Sequence, residues 1–334
     1  MLDKISAKNK MNKLGQLACP FLFFMDYKTE QCYVSELSNI KEEEIRFQVK
    51  DAYIQLQNFA EKELIVKSAI IPHPVDFEIY KSAFDRVKNE LLLGNSFLTN
   101  LTAETPITLN IGLEEVIFHA KAKYKLWVKD QFVCFSPESF VSVNPEGVIS
   151  SFPMKGTLTA KEFEAGSTEL LAPKEYHEHT TIVDLIRNDL SKICDKVWVE
   201  RFRYLDFIKK QNGEGLYQVS SEVSGQLPTD WKSNMGDWFM ELLPAGSITG
   251  APKAKTVEII AAAEKNTYKN GERGFYTGVF GIFDGESFTS SVMIRFIENQ
   301  KQGFVYKSGG GITHQSVAEK EYQELIHKIY VPVF

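Results

Sequence analysis

Residues 242–255 constrain the fold more than any other stretch of this sequence. A loop of small residues, 245–251, runs into Pro252 and then into a helical pattern of apolar residues. Proline suits a first helical position because the N–H that it lacks would be unpaired there. Backbone N–H groups at the positive end of a helix can hold a carboxylate or a phosphate. The sequence therefore predicts a small-anion site, with N–H groups and hydroxyls from Gly246, Ser247, Thr249 and Gly250.

Bulk composition is that of an ordinary globular protein. Of 334 residues, 43% are hydrophobic and 25% are charged, which is enough for a sizeable core. The net charge of −6 does not favour nucleic-acid binding, so an anionic ligand would need local positive potential. Cys19, Cys32, Cys134 and Cys194 are far apart, which favours a reducing, cytoplasmic location over a disulfide framework. No apolar run reaches the roughly 20 residues of a membrane span.

Hydrophobic periodicity predicts an α+β fold without an obvious linker. The apolar stretch 14–25 leads into Asp26 and is not followed by a small-residue cleavage site, so a first strand is expected there rather than a signal peptide. Helices are expected at 77–93, 175–190 and 316–330, and a charged, helix-rich surface segment at 41–67. Strands are expected within 127–143 and at 303–307. A hairpin is expected from the strands 277–283 and 287–297, with its turn at Asp284-Gly285. The glycines 309–311 are expected to break the strand at 303–307.

Two acidic pairs are candidate metal ligands. Glu175 and Glu178 are three residues apart, as are Glu321 and Glu324, so each pair lies on one helical face. Two inward-facing pairs could hold Mg²⁺ through carboxylates and waters. A solvated helix face explains the same spacing. His177 and His179 fall on different faces, which disfavours a zinc site.

Three single residues could carry chemistry. Lys155 follows Pro153 and precedes Gly156 in a constrained turn, and it is either a surface charge or, if desolvated, a nucleophilic amine. Glu138 follows an apolar strand and is either a turn residue or a general acid. Arg295 lies among apolar neighbours in an expected strand, so its partner is an internal carboxylate or a ligand carboxylate.

These elements, in this order, resemble the chorismate-utilising enzymes, which include anthranilate synthase component I, isochorismate and salicylate synthases, and aminodeoxychorismate synthase component I. The resemblance spans about residues 77–334. The matching motifs are Ser136-Pro-Glu138, Pro153-Met-Lys-Gly-Thr157, Glu178 ahead of Ile182-Val-Asp-Leu-Ile-Arg-Asn-Asp189, Gly246-Ser-Ile-Thr-Gly-Ala-Pro-Lys253, Ser291-Val-Met-Ile-Arg295, Gly309-Gly-Gly-Ile312 and Glu321-Tyr-Gln-Glu324.

The resemblance implies a single-domain α/β sandwich with two large antiparallel sheets flanked by helices. Residues 1–76 would be a short N-terminal part of that domain, and 77–334 the catalytic core. The resemblance also implies Mg²⁺ on the ring carboxylate of chorismate. Glu178 and Glu324 would bind the metal, and Glu175 and Glu321 would act through water. The substrate-binding set would be Arg295 and Tyr276 on the pyruvyl carboxylate, the backbone of Gly309, Gly310 and Gly311, and Ser247 and Thr249.

Lys155 distinguishes reactions within the family. The corresponding residue is typically alanine in anthranilate and isochorismate synthases, and lysine resembles aminodeoxychorismate synthase component I. The resemblance implies that Lys155 attacks C2 of chorismate while Glu138 protonates the departing 4-hydroxyl, and that ammonia then adds at C4. Leu98 stands where isochorismate synthases place a water-activating lysine, and Gln218 where many relatives have histidine.

The implied partners are chorismate, ammonia and a separate glutamine amidotransferase subunit. None of the cysteines lies in a Gly-x-Cys-x-Gly turn, and no amidotransferase or lyase domain is evident. Two alternatives remain open. One is anthranilate synthase component I or isochorismate synthase, and the other is a non-catalytic chorismate-binding subunit. The N-terminal part is shorter than in longer family members, so the resemblance does not decide whether the tryptophan pocket often found there is present.

Overall fold

The computed structural model describes residues 1–60, 70–159, 164, 173–209 and 215–331. Within them the helices are α1 Lys4–Gln16, α2 Phe77–Leu92, α3 Leu113–His119, α4 Pro173–Leu190, α5 Met235–Glu241, α6 Lys253–Ala263 and α7 Ala318–His327. The strands are β1 Phe21–Met25, β2 Cys32–Glu36, β3 Ile45–Lys50, β4 Gln55–Gln57, β5 Ile70–Pro72, β6 Leu98–Leu109, β7 Tyr124–Val128, β8 Phe132–Ser136, β9 Ser139–Val143, β10 Val148–Ser151, β11 Met154–Thr159, β12 Lys196–Lys209, β13 Gly215–Gln226, β14 Gly250–Ala251, β15 Val279–Phe283, β16 Phe288–Val292, β17 Phe296–Gln300 and β18 Gly303–Ile312.

The strands form two large antiparallel sheets, as the sequence predicted. Sheet 1 has the order β11-β13-β10-β9-β16-β15-β1-β2, with β12 also paired to β13. Sheet 2 has the order β14-β6-β18-β17-β8-β7-β3-β4, with β5 also paired to β6. The α+β sandwich is therefore confirmed. No described helix has the length and apolar character needed to cross a membrane.

Strand β1 shows how the layers pack. Phe21, Phe23 and Met25 join a core with helices α1, α4 and α5, whereas Leu22 and Phe24 point into the core between the two sheets. All of these side chains are almost completely buried. Helix α3 covers part of the outer face of sheet 2, and α2, α6 and α7 cover another part. Strands before residue 77 thus contribute to both sheets, while the division into 1–76 and 77–334 stays a prediction.

Several predicted elements differ from the structure. Residues 41–60 hold strands β3 and β4 rather than helices, and 61–69 lie outside the described residues. The period-two alternation of Ile45, Phe47 and Val49, all buried, is the strand signal that charged neighbours obscured. Residues 14–25 are shared between α1 and β1, since α1 runs to Gln16.

Another wrong prediction concerns the glycines of β18. They do not break the strand, because Gly309, Gly310 and Gly311 pair with Thr102, Leu101 and Asn100 of β6. A Cβ atom on Gly309 would lie 2.5 Å from the Leu101 carbonyl oxygen, which no side chain tolerates. Glycine at this position permits close contact between β18 and β6.

The segment after Ala245 also differs from the prediction. Residues 246–248 form a 3₁₀ turn, Gly250 and Ala251 pair with β6 as strand β14, and α6 begins at Lys253 with Pro252 as its N-cap. A Cβ on Gly250 would lie 1.8 Å from the Leu98 carbonyl oxygen, and its φ of +130° also requires glycine. The small residues therefore permit strand pairing ahead of α6, where the sequence predicted only a loop.

Candidate active site

Two chain crossings between the sheets position the site. Strand β8 of sheet 2 leads through Pro137 and Glu138 into β9 of sheet 1, and β16 of sheet 1 leads through 293–295 into β17 of sheet 2. The crossings lie side by side, because the Phe135 N–H donates to the Arg295 carbonyl at 3.1 Å and the Ser291 hydroxyl donates to the Glu138 carbonyl at 2.8 Å. The expected single strand at 287–297 was therefore wrong. Arg295 sits on a bend with a φ of +54°, not in a strand.

Glu138 has the environment of a general acid. Its side chain is partly buried, and the Ser247 hydroxyl donates to Oε1 at 2.6 Å. Burial raises the pKa of Glu138, while the Ser247 hydrogen bond and the positive charges of Arg295 and Lys328 oppose that rise. A carboxyl with a raised pKa holds its proton closer to neutral pH and can donate it to a leaving group.

Arg295 and Tyr276 lie in the same cluster. The Arg295 guanidinium lies 5.3 Å from the centre of the Tyr330 ring, and its Nε donates to the Tyr330 hydroxyl at 3.4 Å. Within the described part of the chain no carboxylate forms an ion pair with Arg295. Burial raises the pKa of Tyr276. The positive charges of Arg273 and Arg295 oppose that rise, whereas the carboxylates of Glu264 and Glu138 add to it. Of the two partners predicted for Arg295, the described residues do not supply the internal carboxylate, and a ligand carboxylate stays open.

The second acidic pair lies above the glycine strand. A Cβ atom on Gly310 would lie 3.4 Å from Glu324 Oε1, 3.6 Å from Lys328 Nζ and 3.7 Å from Glu321 Oε2. Lys328 Nζ also contacts Glu324 Oε1 at 2.6 Å and donates to the Gly309 carbonyl at 2.8 Å. The two carboxylates thus converge over one point of the strand, and only glycine leaves that point open.

This donor set fits a hard cation such as Mg²⁺. Oxygen ligands from one or two carboxylates completed by water are what Mg²⁺ prefers. The side chains of Glu175 and Glu178 lie outside the described residues, although their backbone belongs to α4. Among the described side chains alone, no group of three or more metal-binding residues is assembled. The assignment of Glu175, Glu178, Glu321 and Glu324 to a metal stays a prediction.

Helix α4 and strand β11 approach the same place. A cavity of about 30 Å³ is lined by Glu138, Ser247, Pro153 and Asp189, among others. The backbone of Lys155 lies in β11, two residues beyond Pro153, and its side chain is outside the described residues. Pro153, the residue before this strand, therefore lines the same cavity as Glu138.

Thr249 and Leu98 have less direct positions. The Thr249 side chain is fully buried, and its hydroxyl donates to the Ala245 carbonyl at 2.8 Å, so it braces the loop. Its predicted contact with substrate stays a prediction. Leu98 packs against the glycine strand, because a Cβ on Gly311 would lie 3.1 Å from Leu98 Cδ1. Its correspondence to the water-activating lysine of isochorismate synthases stays a prediction.

Sequence reasoning gave no role to several residues that build the site. Lys328 follows Glu324 by four residues, and this helical spacing could have indicated the ion pair. Lys253 Nζ pairs with Asp189 Oδ2 at 2.6 Å and donates to the Leu242 carbonyl at 2.9 Å, which ties α6 to α4. Burial lowers the pKa of Lys253, and Asp189 opposes that shift. Both residues end motifs that the resemblance had already marked.

The two-sheet fold and the cluster around Glu138 are the features to set beside known proteins. The chain belongs to the family of chorismate binding enzymes, whose model matches residues 6–333. An uncharacterized PabA-like protein of Haemophilus influenzae is 43% identical over 322 residues, covering 96% of this chain and 95% of the relative. Aminodeoxychorismate synthase component 1 of Bacillus subtilis is 27% identical, covering 96% of this chain and 72% of the relative.

Solved structures agree on the fold. A putative 2,3-dihydroxybenzoate-specific isochorismate synthase, DhbC, of Bacillus anthracis has a TM-score of 0.69 and 18% identity, covering 98% of this chain and 87% of that one. Anthranilate synthase component I of Streptococcus pneumoniae has a TM-score of 0.62 and 25% identity, covering 79% of this chain and 59% of that one. Family membership and fold are therefore established together.

Proposed function

We propose that this protein is an aminodeoxychorismate synthase component I, which converts chorismate and ammonia to 4-amino-4-deoxychorismate and water. The observation that carries the proposal is Lys155, on a strand whose preceding residue, Pro153, lines one cavity with Glu138. The relative from Bacillus subtilis with that printed name supports it over nearly the whole chain. Leu98 against Gly311 supports it further, since leucine cannot activate water at that position.

The proposed reaction divides one difficult substitution into two steps. The neutral amine of Lys155 forms a bond to C2 while the bond from C4 to its hydroxyl breaks. Glu138 supplies the proton that lets the hydroxyl leave as water, because hydroxide is a poor leaving group. Ammonia then forms a bond to C4 while the bond from C2 to the lysine nitrogen breaks, which regenerates the neutral amine of Lys155. A proton of the added ammonia returns to the Glu138 carboxylate, so the acid is regenerated as well.

The remaining residues would bind and orient the substrate. Arg295, without a carboxylate partner among the described residues, would hold the pyruvyl carboxylate together with the Tyr276 hydroxyl. The backbone of Gly309, Gly310 and Gly311 would line the cleft nearby. Glu178 and Glu324, with Glu175 and Glu321 through water, would hold Mg²⁺, which supplies charge neutralisation of the ring carboxylate.

The ammonia would come from a separate glutamine amidotransferase. The sequence lacks the nucleophile turn of such an enzyme, and the printed name of the Haemophilus relative, PabA-like, supports an association with that chemistry. Release of para-aminobenzoate for folate synthesis would need a further lyase. A glutamine-dependent activity that appears only when an amidotransferase is added would support this assignment.

Product identification tests the proposal. Purified protein is incubated with chorismate, Mg²⁺ and ammonium at mildly alkaline pH, with and without an aminodeoxychorismate lyase, and products are identified by mass spectrometry. We expect para-aminobenzoate only when the lyase is present. Anthranilate or isochorismate would overturn the proposal, and the anthranilate synthase structure makes the first of these the main alternative. Magnesium-dependent chorismate binding without turnover, even with an amidotransferase present, would indicate a non-catalytic subunit.

A further inference from the structure

A buried arginine outside the catalytic cluster connects three segments of the site. Arg273 lies between α6 and β15 and is 2% exposed. Its Nη1 donates to the Ile248 carbonyl at 3.0 Å and to the Thr277 hydroxyl at 3.2 Å, and its Nη2 donates to the Asn100 carbonyl at 2.6 Å. One guanidinium thus joins β6, the 246–248 turn and the segment that follows Tyr276.

Glu264 holds this guanidinium in place. Arg273 Nε and Nη2 donate to the two Glu264 carboxylate oxygens at 2.8 and 2.7 Å, and Glu264 is 3% exposed. The Thr102 N–H and hydroxyl also donate to Glu264 Oε1, at 2.8 and 2.9 Å. The Tyr27 ring lies 4.6 Å from the guanidinium carbon. The pair is therefore well satisfied, and because a buried ion pair adds little net stability, its value here is geometric.

The geometry that it fixes leads to Glu138. Ile248 ends the 3₁₀ turn, and its carbonyl accepts from Arg273 and also from Asn100 Nδ2 at 3.0 Å. Ser247, in the middle of that turn, donates to Glu138 Oε1 at 2.6 Å. Anchoring the Ile248 carbonyl thus limits where the Ser247 hydroxyl can lie. Arginine suits this task because its planar fork donates in several fixed directions, which lysine cannot do.

We propose that Arg273, braced by Glu264, is a positioning residue that holds the Ser247 hydroxyl on the Glu138 carboxyl. It forms no hydrogen bond to Glu138, Tyr276 or Arg295, and it would act through the 246–248 turn. The inference rests on the proposed function in one respect, which is that Glu138 is the acid of the reaction. Arg295, Lys328 and Tyr276 also face Glu138 electrostatically, and all three are retained in every variant below.

A double-mutant cycle tests this inference. The variants are Ser247→Ala, Arg273→Lys and the double variant, and chorismate consumption with ammonium is measured from pH 6 to 10. We expect each single variant to lower kcat about tenfold, as for one lost hydrogen bond to a charged group, with a smaller change in KM. We expect the double variant to be no slower than Ser247→Ala, because Arg273 and Ser247 act in series.

The pH profile of kcat distinguishes a positioning role of Arg273 from a purely structural one, because a purely structural role would leave the alkaline limb unchanged. Losing the Ser247 hydrogen bond removes a stabiliser of the ionised carboxyl, so the alkaline limb of kcat moves to higher pH in both single variants. Thr289→Val is the matched control, because Thr289 donates to buried Asp51 at 2.9 Å in a separate cluster. We expect Thr289→Val to lower stability without moving the alkaline limb of kcat. Its effect on the activation free energy should add to that of Ser247→Ala.

Asn100→Ala keeps the inference testable if Arg273→Lys does not fold. It removes the second donor to the Ile248 carbonyl, and we expect the same direction of shift in the alkaline limb with a smaller loss in kcat. The inference would be overturned if the losses in kcat of Ser247→Ala and Arg273→Lys multiplied in the double variant. An alkaline limb of kcat that does not move in folded Arg273→Lys or Asn100→Ala would overturn it as well. A product other than aminodeoxychorismate from the wild-type protein would instead overturn the proposed function, and the two failures are distinguishable.

Discussion

At Glu138, three kinds of interaction compete for one proton. Burial favours the neutral acid, whereas the Ser247 hydroxyl and the cations Arg295 and Lys328 favour the carboxylate, and burial has the largest effect. The same residue type in a solvated turn would be ionised near neutral pH. Its proposed role as an acid therefore depends on the crossing between β8 and β9, which partly buries its carboxyl.

The pH dependence of turnover follows from this. Glu138 must be protonated to act, so kcat falls as pH rises through its pKa, and burial moves that fall to higher pH than for an ordinary glutamic acid. We expect Glu138→Gln to lower kcat by roughly 10²–10⁴ and to remove the alkaline limb. Glu146→Gln, at an exposed turn, is the control and should retain both. Steady-state rates between pH 6 and 10 check this, and an unchanged limb in Glu138→Gln would assign the proton elsewhere.

The proposed nucleophile makes a second prediction at this scale. Lys155→Ala removes the amine that would bond to C2, so we expect amination at C4 to fall by on the order of 10² or more, while chorismate still binds. Lys10→Ala, exposed on α1, is the matched control. Product formation is measured by mass spectrometry with ammonium as the nitrogen source. An undiminished rate in Lys155→Ala would rule out the covalent route.

Among the elements, β18 carries the sharpest constraint on the site. Its pairing with β6 requires close contact at Gly309, whereas Gly310 faces the converging carboxylates of α7. Gly309 and Gly310 thus have different structural roles, since successive residues of a strand face opposite sides of the sheet. Gly309 allows the sheet to close, and Gly310 keeps open the space above it.

Substitution by alanine should separate these two roles. A Cβ on Gly309 would lie 2.5 Å from a backbone oxygen, so we expect Gly309→Ala to lower the melting temperature markedly. A Cβ on Gly310 meets side-chain atoms at 3.4 Å or more, so Gly310→Ala should fold but need more Mg²⁺ for half-maximal rate. Gly112→Ala, with nothing within 4 Å, is the neutral control. Thermal melts and Mg²⁺ titrations of the rate check these outcomes, and an unchanged Mg²⁺ requirement in Gly310→Ala would count against metal binding above β18.

Across the whole molecule, the N-terminal strands belong to both sheets. Strands β1 and β2 complete sheet 1, and β3 and β4 complete the far side of sheet 2. The five side chains of β1 are buried, three toward the helices and two between the sheets. At about 1.5–3 kcal/mol each, they contribute on the order of 10 kcal/mol, which is comparable to the total stability of a domain.

Residues 77–334 should therefore not fold alone. We expect this fragment to lack a cooperative thermal transition and to expose apolar surface, because both cores lose one wall. Circular dichroism melts and limited proteolysis, with the full chain as control, measure this. A cooperative melt with retained chorismate turnover in the fragment would show that residues 77–334 are separable and would contradict this prediction.

Local patterns in the sequence were sufficient for the helices α2, α4 and α7, for the hairpin at Asp284-Gly285 and for the motifs that identified the family. They were sufficient because helical periodicity, turn chemistry and short motifs depend on neighbours in sequence. The tertiary structure alone decided that 309–311 continues a strand and that Arg295 lies on a crossing between sheets. Both features depend on which strand packs opposite. The link from Arg273 to Ser247 is of the same kind, because Arg273 reaches the Ile248 and Asn100 carbonyls, 25 and 173 residues away in sequence. Pairing, burial and charge proximity arise only when distant segments meet, so residues 242–255 showed where the chain is constrained but not which strand they pair with.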